Sequence, residues 1–157
     1  MPTVFATDDR DDQGDHPVDA SRWACLARAV LEAEGVSDQA ELSVVFVDEQ
    51  AMADLNRRYA GDDVPTDVLA FPIDDAASAS HPGPVMVGDV VICPAVAAHN
   101  APARAGGYED ELALLVVHGV LHLLGMDHAE AGEAEVMQRR ERELLARFHL
   151  SPARAEP

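Results

Sequence analysis

The chain has 157 residues, with 29 acidic against 11 basic side chains and a formal net charge of -18; every basic residue is an arginine. That length suits one domain rather than two. A content of 48% hydrophobic and 25% charged residues excludes wholesale disorder, and so acidic a surface excludes affinity for nucleic acid or anionic membrane built on a basic face.

In chain order, residues 3–7 are expected to form a first strand and 8–17 an acidic, structureless loop. A helix follows over 19–34, where Trp23, Leu26, Ala27, Val30 and Leu31 recur at helical spacing and Gly35 stands ready to end it. Residues 41–48 read as a strand, because Leu42, Val44 and Phe46 alternate with Ser43, Val45 and Val47. Residues 50–59 form a short helix with Met52, Leu55 and Tyr59 on one face. A turn at 61–65 follows, where Pro65 blocks further helix. A third strand at 68–73 meets Pro72 and two aspartates, and 74–84 is a polar loop. The fourth strand, 85–93, is apolar enough to be central. Residues 94–104 form a short helix with Pro94 at its first position. A long apolar helix over 108–124 and an amphipathic one over 130–148 complete the chain. The whole of 1–157 reads as a single compact α+β domain, with about four strands in a mixed sheet, about five helices and a disordered tail at 151–157.

Cys25 and Cys93 are too few for a disulfide framework and read as small buried hydrophobes. Residues 1–9 lack the basic and apolar regions of a signal peptide. The longest apolar stretch, 112–126, falls short of the ~20 residues of a membrane span. A soluble cytoplasmic protein without membrane contact is expected.

The chemistry concentrates at His118-Gly119-Val120-Leu121-His122-Leu123-Leu124-Gly125-Met126-Asp127-His128. Four residues apart on a helix, His118 and His122 lie ~40° apart around the axis and project to one side. Gly125 lets the helix end and the chain turn back, so that His128 can approach the pair. Three imidazoles so placed occupy three corners of a tetrahedron and leave the fourth open, the mark of a catalytic zinc site. Asp127 is a candidate to orient a ligand imidazole, and Asp127 and Asp67 are the candidate catalytic carboxylates. His16, His81, His99 and His149 lack such context and read as solvated surface. The same H-x3-H-x5-H spacing occurs in metzincin peptidases, where a glutamate after the first histidine is the general base. Here that position is Gly119, which argues against peptide hydrolysis but not against metal-assisted attack on phosphate.

The stretch from His118 to His128 resembles the HGxLHLxGxDH signature of the YbeY endoribonucleases, also called ribosomal RNA maturation factors. Pro65-Thr66-Asp67-Val68-Leu69-Ala70-Phe71-Pro72 is similar to that family's PTDVLSFP strand. Gly88-Asp89-Val90-Val91-Ile92-Cys93 is similar to its GDIVIC strand, and Leu55-Asn56 with Tyr59 to its preceding helix. The motifs occur in family order over roughly 41–148. The resemblance implies one Zn2+ ion held by His118, His122 and His128, cleavage of single-stranded RNA, maturation of ribosomal RNA and a part in ribosome quality control. Ribosomal or ribosome-associated proteins are the expected partners. The arginine that many members carry after the tyrosine is Ala60 here, with Arg57 and Arg58 near but not equivalent, and the usual serine of the strand motif is Ala70. The alternatives are a zinc-stabilised ribosome assembly factor without catalysis and a metzincin-like peptidase.

The motifs also admit plainer roles. Thr66 and Asp67 can close the turn after Pro65, and Gly88-Asp89 can simply shape a strand. Arg139, Arg140, Arg142 and Arg147 share the last helix with Glu133, Glu135, Glu141 and Glu143, which suits ion pairing on a solvated face.

Overall fold

Residues that alternate in pairs build a sheet, and residues that repeat every third or fourth position build the helices that cover it. The computed structural model describes residues 1–12, 14, 16–60, 66–74, 84–104, 106–126 and 130–149. Its elements are β1 (Thr3–Asp8), α1 (Ala20–Ala33), β2 (Ala40–Phe46), α2 (Glu49–Ala60), β3 (Val68–Pro72) and β4 (Val85–Ile92). After these come α3 (Pro94–Asn100), a 3-10 turn (Ala101–Arg104), α4 (Tyr108–Leu123) and α5 (Ala131–Phe148). The turn at 61–65, most of the loop at 74–84 and the tail from 151 lie outside the described residues.

The strands form one mixed sheet in the order β1-β2-β4-β3. β1 and β4 run parallel to β2, and β3 runs antiparallel to β4. The expected α+β class holds, and β4 lies inside the sheet as its apolar run requires. β2 buries Ala40, Leu42, Val44 and Phe46 and leaves the residues between them half-buried. It stops at Phe46 rather than at 48 because Asp48 turns to cap α2, its carboxylate accepting the Ala51 N–H at 2.8 Å. The helix expected over 94–104 breaks into α3 and a 3-10 turn at Ala101, which itself keeps α angles (φ -54°, ψ -45°); Pro102, with no N–H to donate, ends the α-helical hydrogen-bond ladder there.

α4 packs against α1, α5, β3 and β4. The main core lies under it, built on Trp23, Leu31, Phe46, Leu112, Leu121 and Met137. A smaller cluster on the other side of the sheet holds Val47, Met52, Val91 and Cys93. β4 leaves no room for a side chain at position 88. A Cβ there would collide with the Phe71 carbonyl oxygen and lie 2.9 Å from Leu123 Cδ2, so Gly88 shapes the strand.

Three local expectations are corrected. The first is the loop after β1, which is organised around a buried cation. Arg10 donates to the Asp8 carboxylate from Nε at 2.9 Å and Nη2 at 3.0 Å, and to the His16 carbonyl from Nη1 at 2.8 Å. The second is His149, which is buried rather than solvated: Nε2 lies 2.9 Å from Asp110 Oδ1 and Nδ1 3.5 Å from Arg22 Nη2. With arginine as the donor, Nδ1 accepts and the Nε2–H donates to Asp110, which ties the end of α5 to the start of α4. The third is Cys25, which is exposed because it falls off the Trp23-Leu26-Ala27-Val30 stripe of α1, whereas Cys93 is buried as expected.

Tyr108 closes the same region, its hydroxyl donating to the Pro17 carbonyl at 3.1 Å. Burial pushes this phenol from its usual 10.0 up to about 12. The folded chain therefore keeps a proton that the unfolded chain releases. Stability is full below pH 10 and declines as the pH rises toward about 12. Alkaline absorbance titration is expected to show a tyrosine ionising near 12, and Tyr108→Phe to flatten the alkaline fall in the urea midpoint. A Tyr108 that titrates at the ordinary value, or a variant with an unchanged fall, contradicts this.

Candidate metal and substrate site

α4 begins with Glu109, Asp110 and Glu111 in its first turn, carboxylates that suit the positive end of the helix dipole. Its last turn ends in a Schellman motif. The Met126 N–H donates to the Leu121 carbonyl and the Gly125 N–H to the His122 carbonyl, both at 3.1 Å. Gly125 sits at φ +101°, a conformation open to glycine and strained for other residues.

This turn does more than stop the helix. It brings the Met126 carbonyl to 3.1 Å from His122 Nδ1. A carbonyl oxygen can only accept, so Nδ1 carries a proton, and the neutral ring then has its lone pair on Nε2. His118 is fixed in the same sense by α5, with its Nδ1 2.6 Å from Glu141 Oε2. The two rings lie 5° from parallel with centroids 6.4 Å apart. A carboxylate or backbone carbonyl behind each imidazole is the usual support of a metal-ligating histidine. A neutral imidazole with its proton on Nδ1 and its lone pair on Nε2 is the donor a zinc-type ion takes. The described residues thus fit a metal ion at this end of α4. Asp127 and His128 lie outside the described residues, and among those described no group of three or more side chains is placed to hold an ion.

Asp67, distant in sequence, is brought to the same place. Its carbonyl accepts the Cys93 N–H at 2.9 Å, which locks the start of β3 to the end of β4. Its side chain lines a cavity of about 450 Å3 together with His118 and Glu141. Asp67 also lines a second cavity of about 840 Å3, shared with Thr66, Glu49, His99 and Asn100. Among the described residues no arginine lines either cavity. Arg57 pairs with Asp54 at 3.2 Å, and Arg140 with Glu34 at 2.5 Å and Glu143 at 3.0 Å. The ion-pairing reading of α5 therefore holds for Arg140.

It fails for Glu141, which is 6% exposed and bonded to His118 rather than to an arginine. Residues 137, 141, 144 and 148 are four, three and four apart, and Met137, Leu144 and Phe148 all belong to the core. Glu141 thus stands on the inward stripe of α5, a placement that periodicity could have revealed.

A family model described as Endoribonuclease YbeY matches residues 8–149. A protein of Beutenbergia cavernae named Endoribonuclease YbeY is 48% identical over 134 residues, covering 83% of this chain and 89% of its own. One of Thermobifida fusca with the same name is 48% identical over 139 residues, covering 86% and 89%. The solution structure of TM1509 from Thermotoga maritima superposes with a TM-score of 0.58 at 24% identity, over 99% of this chain and 97% of that one, a likeness of fold.

Proposed function

Because the chain belongs to the endoribonuclease YbeY family, we propose that it hydrolyses single-stranded RNA at a single zinc ion held by His118, His122 and His128, and that it acts in the maturation of ribosomal RNA. The observation that carries this reading is the pair of histidines one helical turn apart, each with Nδ1 bonded from behind. A bound divalent ion supplies Lewis-acid chemistry, polarising a phosphoryl oxygen and making water acidic enough to attack at neutral pH. The protein's part is orientation. Glu141 and the Met126 carbonyl hold the two imidazoles by Nδ1, which leaves Nε2 of each as the atom to meet the ion, and Gly125 shapes the turn that ends α4. Asp67, which lines the same cavity as His118, is the first candidate to take the proton of an attacking water. Asp127 is the second candidate for that proton.

The charge of the chain then acquires a narrower meaning. With no arginine among the described residues that line either cavity, the chain itself neutralises few substrate phosphates. RNA binding is therefore weak and shallow in its salt dependence, and recruitment falls to ribosomal or ribosome-associated proteins in the cytoplasm. Among the described residues no helix is long and apolar enough to cross a membrane.

The test is a cleavage assay on the purified chain with single-stranded RNA, duplex RNA and single-stranded DNA. One zinc per chain and cleavage of single-stranded RNA are expected, lost on chelation and restored by stoichiometric zinc. Cleavage that survives complete removal of the metal, or fully loaded protein that cleaves no RNA, overturns the proposal.

A further inference from the structure

We propose that the cavity between α4, α5 and the start of β3 is a base subsite, which takes one unpaired nucleobase beside the cleaved bond and favours amino-bearing bases over uracil. This rests on the single-stranded RNA reading above and adds a specificity to it. At about 450 Å3 the cavity is at the low end for small-molecule sites, ~300–1,000 Å3. Val68, Leu114, Leu115 and Met137 give it an apolar lining that suits a flat ring. His118 stands on the same wall, so an occupant lies next to the ligand histidines.

Charge decides which part of a nucleotide enters. Among the described residues the polar groups on the wall are the Asp67 and Glu141 carboxylates, the Gln138 amide and the His118 imidazole, with no arginine. Away from the ion on His118, a phosphate beside two carboxylates in a partly apolar cavity is repelled. A neutral base is not, and only an unpaired one can be splayed into such a space. Ionised carboxylates accept hydrogen bonds and cannot donate them, whereas an amide side chain does both. The exocyclic amines of cytosine, adenine and guanine meet these acceptors. Uracil offers carbonyl oxygens at its edges and one ring N–H, so its oxygens face carboxylate oxygens. Gln138, exposed at the rim on α5, can complete an amide pair with the amine and the adjacent ring nitrogen, as it does with adenine elsewhere.

The experiment uses short single-stranded RNAs that differ in one nucleotide on either side of the cleaved bond. Cleavage is measured with the zinc-loaded chain, and binding with the same oligonucleotides and the chain freed of metal by chelation. At one of the two positions uracil is expected to be disfavoured on the order of 10-fold. Gln138→Ala should erase most of that difference. Ala134→Phe, which fills the cavity from its partly exposed rim, should raise KM for every sequence without changing metal content. Discrimination in binding without cleavage would support the subsite and count against the nuclease reading. Cleavage with no base preference, or a preference untouched by both substitutions, overturns the subsite and leaves the nuclease reading standing.

Discussion

His122→Ala is expected to lose its metal and RNA cleavage together, while the metal-free variant melts within about 2 °C of the metal-free parent. His122 is exposed, and it bonds the Met126 carbonyl at the surface. Removing even an outer partner of a metal ligand costs 10–100-fold in affinity, so removing a ligand costs more than ~100-fold. His118→Ala should lose metal just as completely but also destabilise the metal-free chain. It removes the donor 2.6 Å from Glu141, whose side chain is 8% exposed. Stranding that buried carboxylate costs about 1–3 kcal/mol, or roughly 2–10 °C for a chain of this size. Glu141→Ala should keep the metal with affinity lowered 10–100-fold, and Glu141→Gln, whose amide oxygen can still accept from Nδ1, should recover part of it. Metal competition titrations and thermal melts in chelator separate these outcomes. Metal retained by His122→Ala removes it from the ligand set, and equal melting of the two histidine variants removes the stabilising role of Glu141.

The contrast between these residues shows what the sequence could disclose. His118 and His122 were legible because their spacing is local: helix geometry alone aims both to one side. Gly125 was legible for the same reason, but the carbonyl it delivers to His122 belongs to the backbone and carries no side-chain signature. Glu141 bonds a residue 23 positions away, and its own neighbourhood, rich in arginine, points to surface ion pairs instead. His149 and Arg10 were misread for an equivalent reason. Their burial depends on α1, α4 and the returning loop, none of which shows in the residues beside them. Asp67 stood out in its strand motif, yet its place on the wall beside His118 follows from β3 pairing with β4 and from α4 lying against both. Strand and helix periods disclosed the sheet well. The ends of elements shifted where a side chain such as Asp48, or an imino acid such as Pro102, took over the backbone.

Gly119→Glu, which would restore the glutamate of the peptidase spacing, is expected to yield unfolded or aggregated protein with no peptide cleavage. Position 119 is turned ~100° around α4 from His118 and faces the sheet. A Cβ there would lie 2.5 Å from Val90 Cγ1 and 3.1 Å from Val90 Cγ2. Val90 is fully buried on β4, and a β-branched side chain has little rotamer freedom with which to yield. A glutamate at this position would drive an unpaired carboxylate into the core. That costs several kcal/mol, a large share of the ~5–15 kcal/mol that holds a domain together. Gly119→Ala separates crowding from charge. The methyl group gains about 1 kcal/mol of helix propensity but overpacks the contact with Val90 by about 1–3 kcal/mol, so the urea midpoint should fall. A second change, Val90→Ala, should restore much of it by opening the space the methyl needs. If Gly119→Ala is as stable as the parent, or Gly119→Glu folds normally, α4 does not sit on β4 as described. Otherwise the glycine records a helix packed too closely on its sheet to carry a glutamate there, and the proposed attack by water would need its base from another element, such as Asp67.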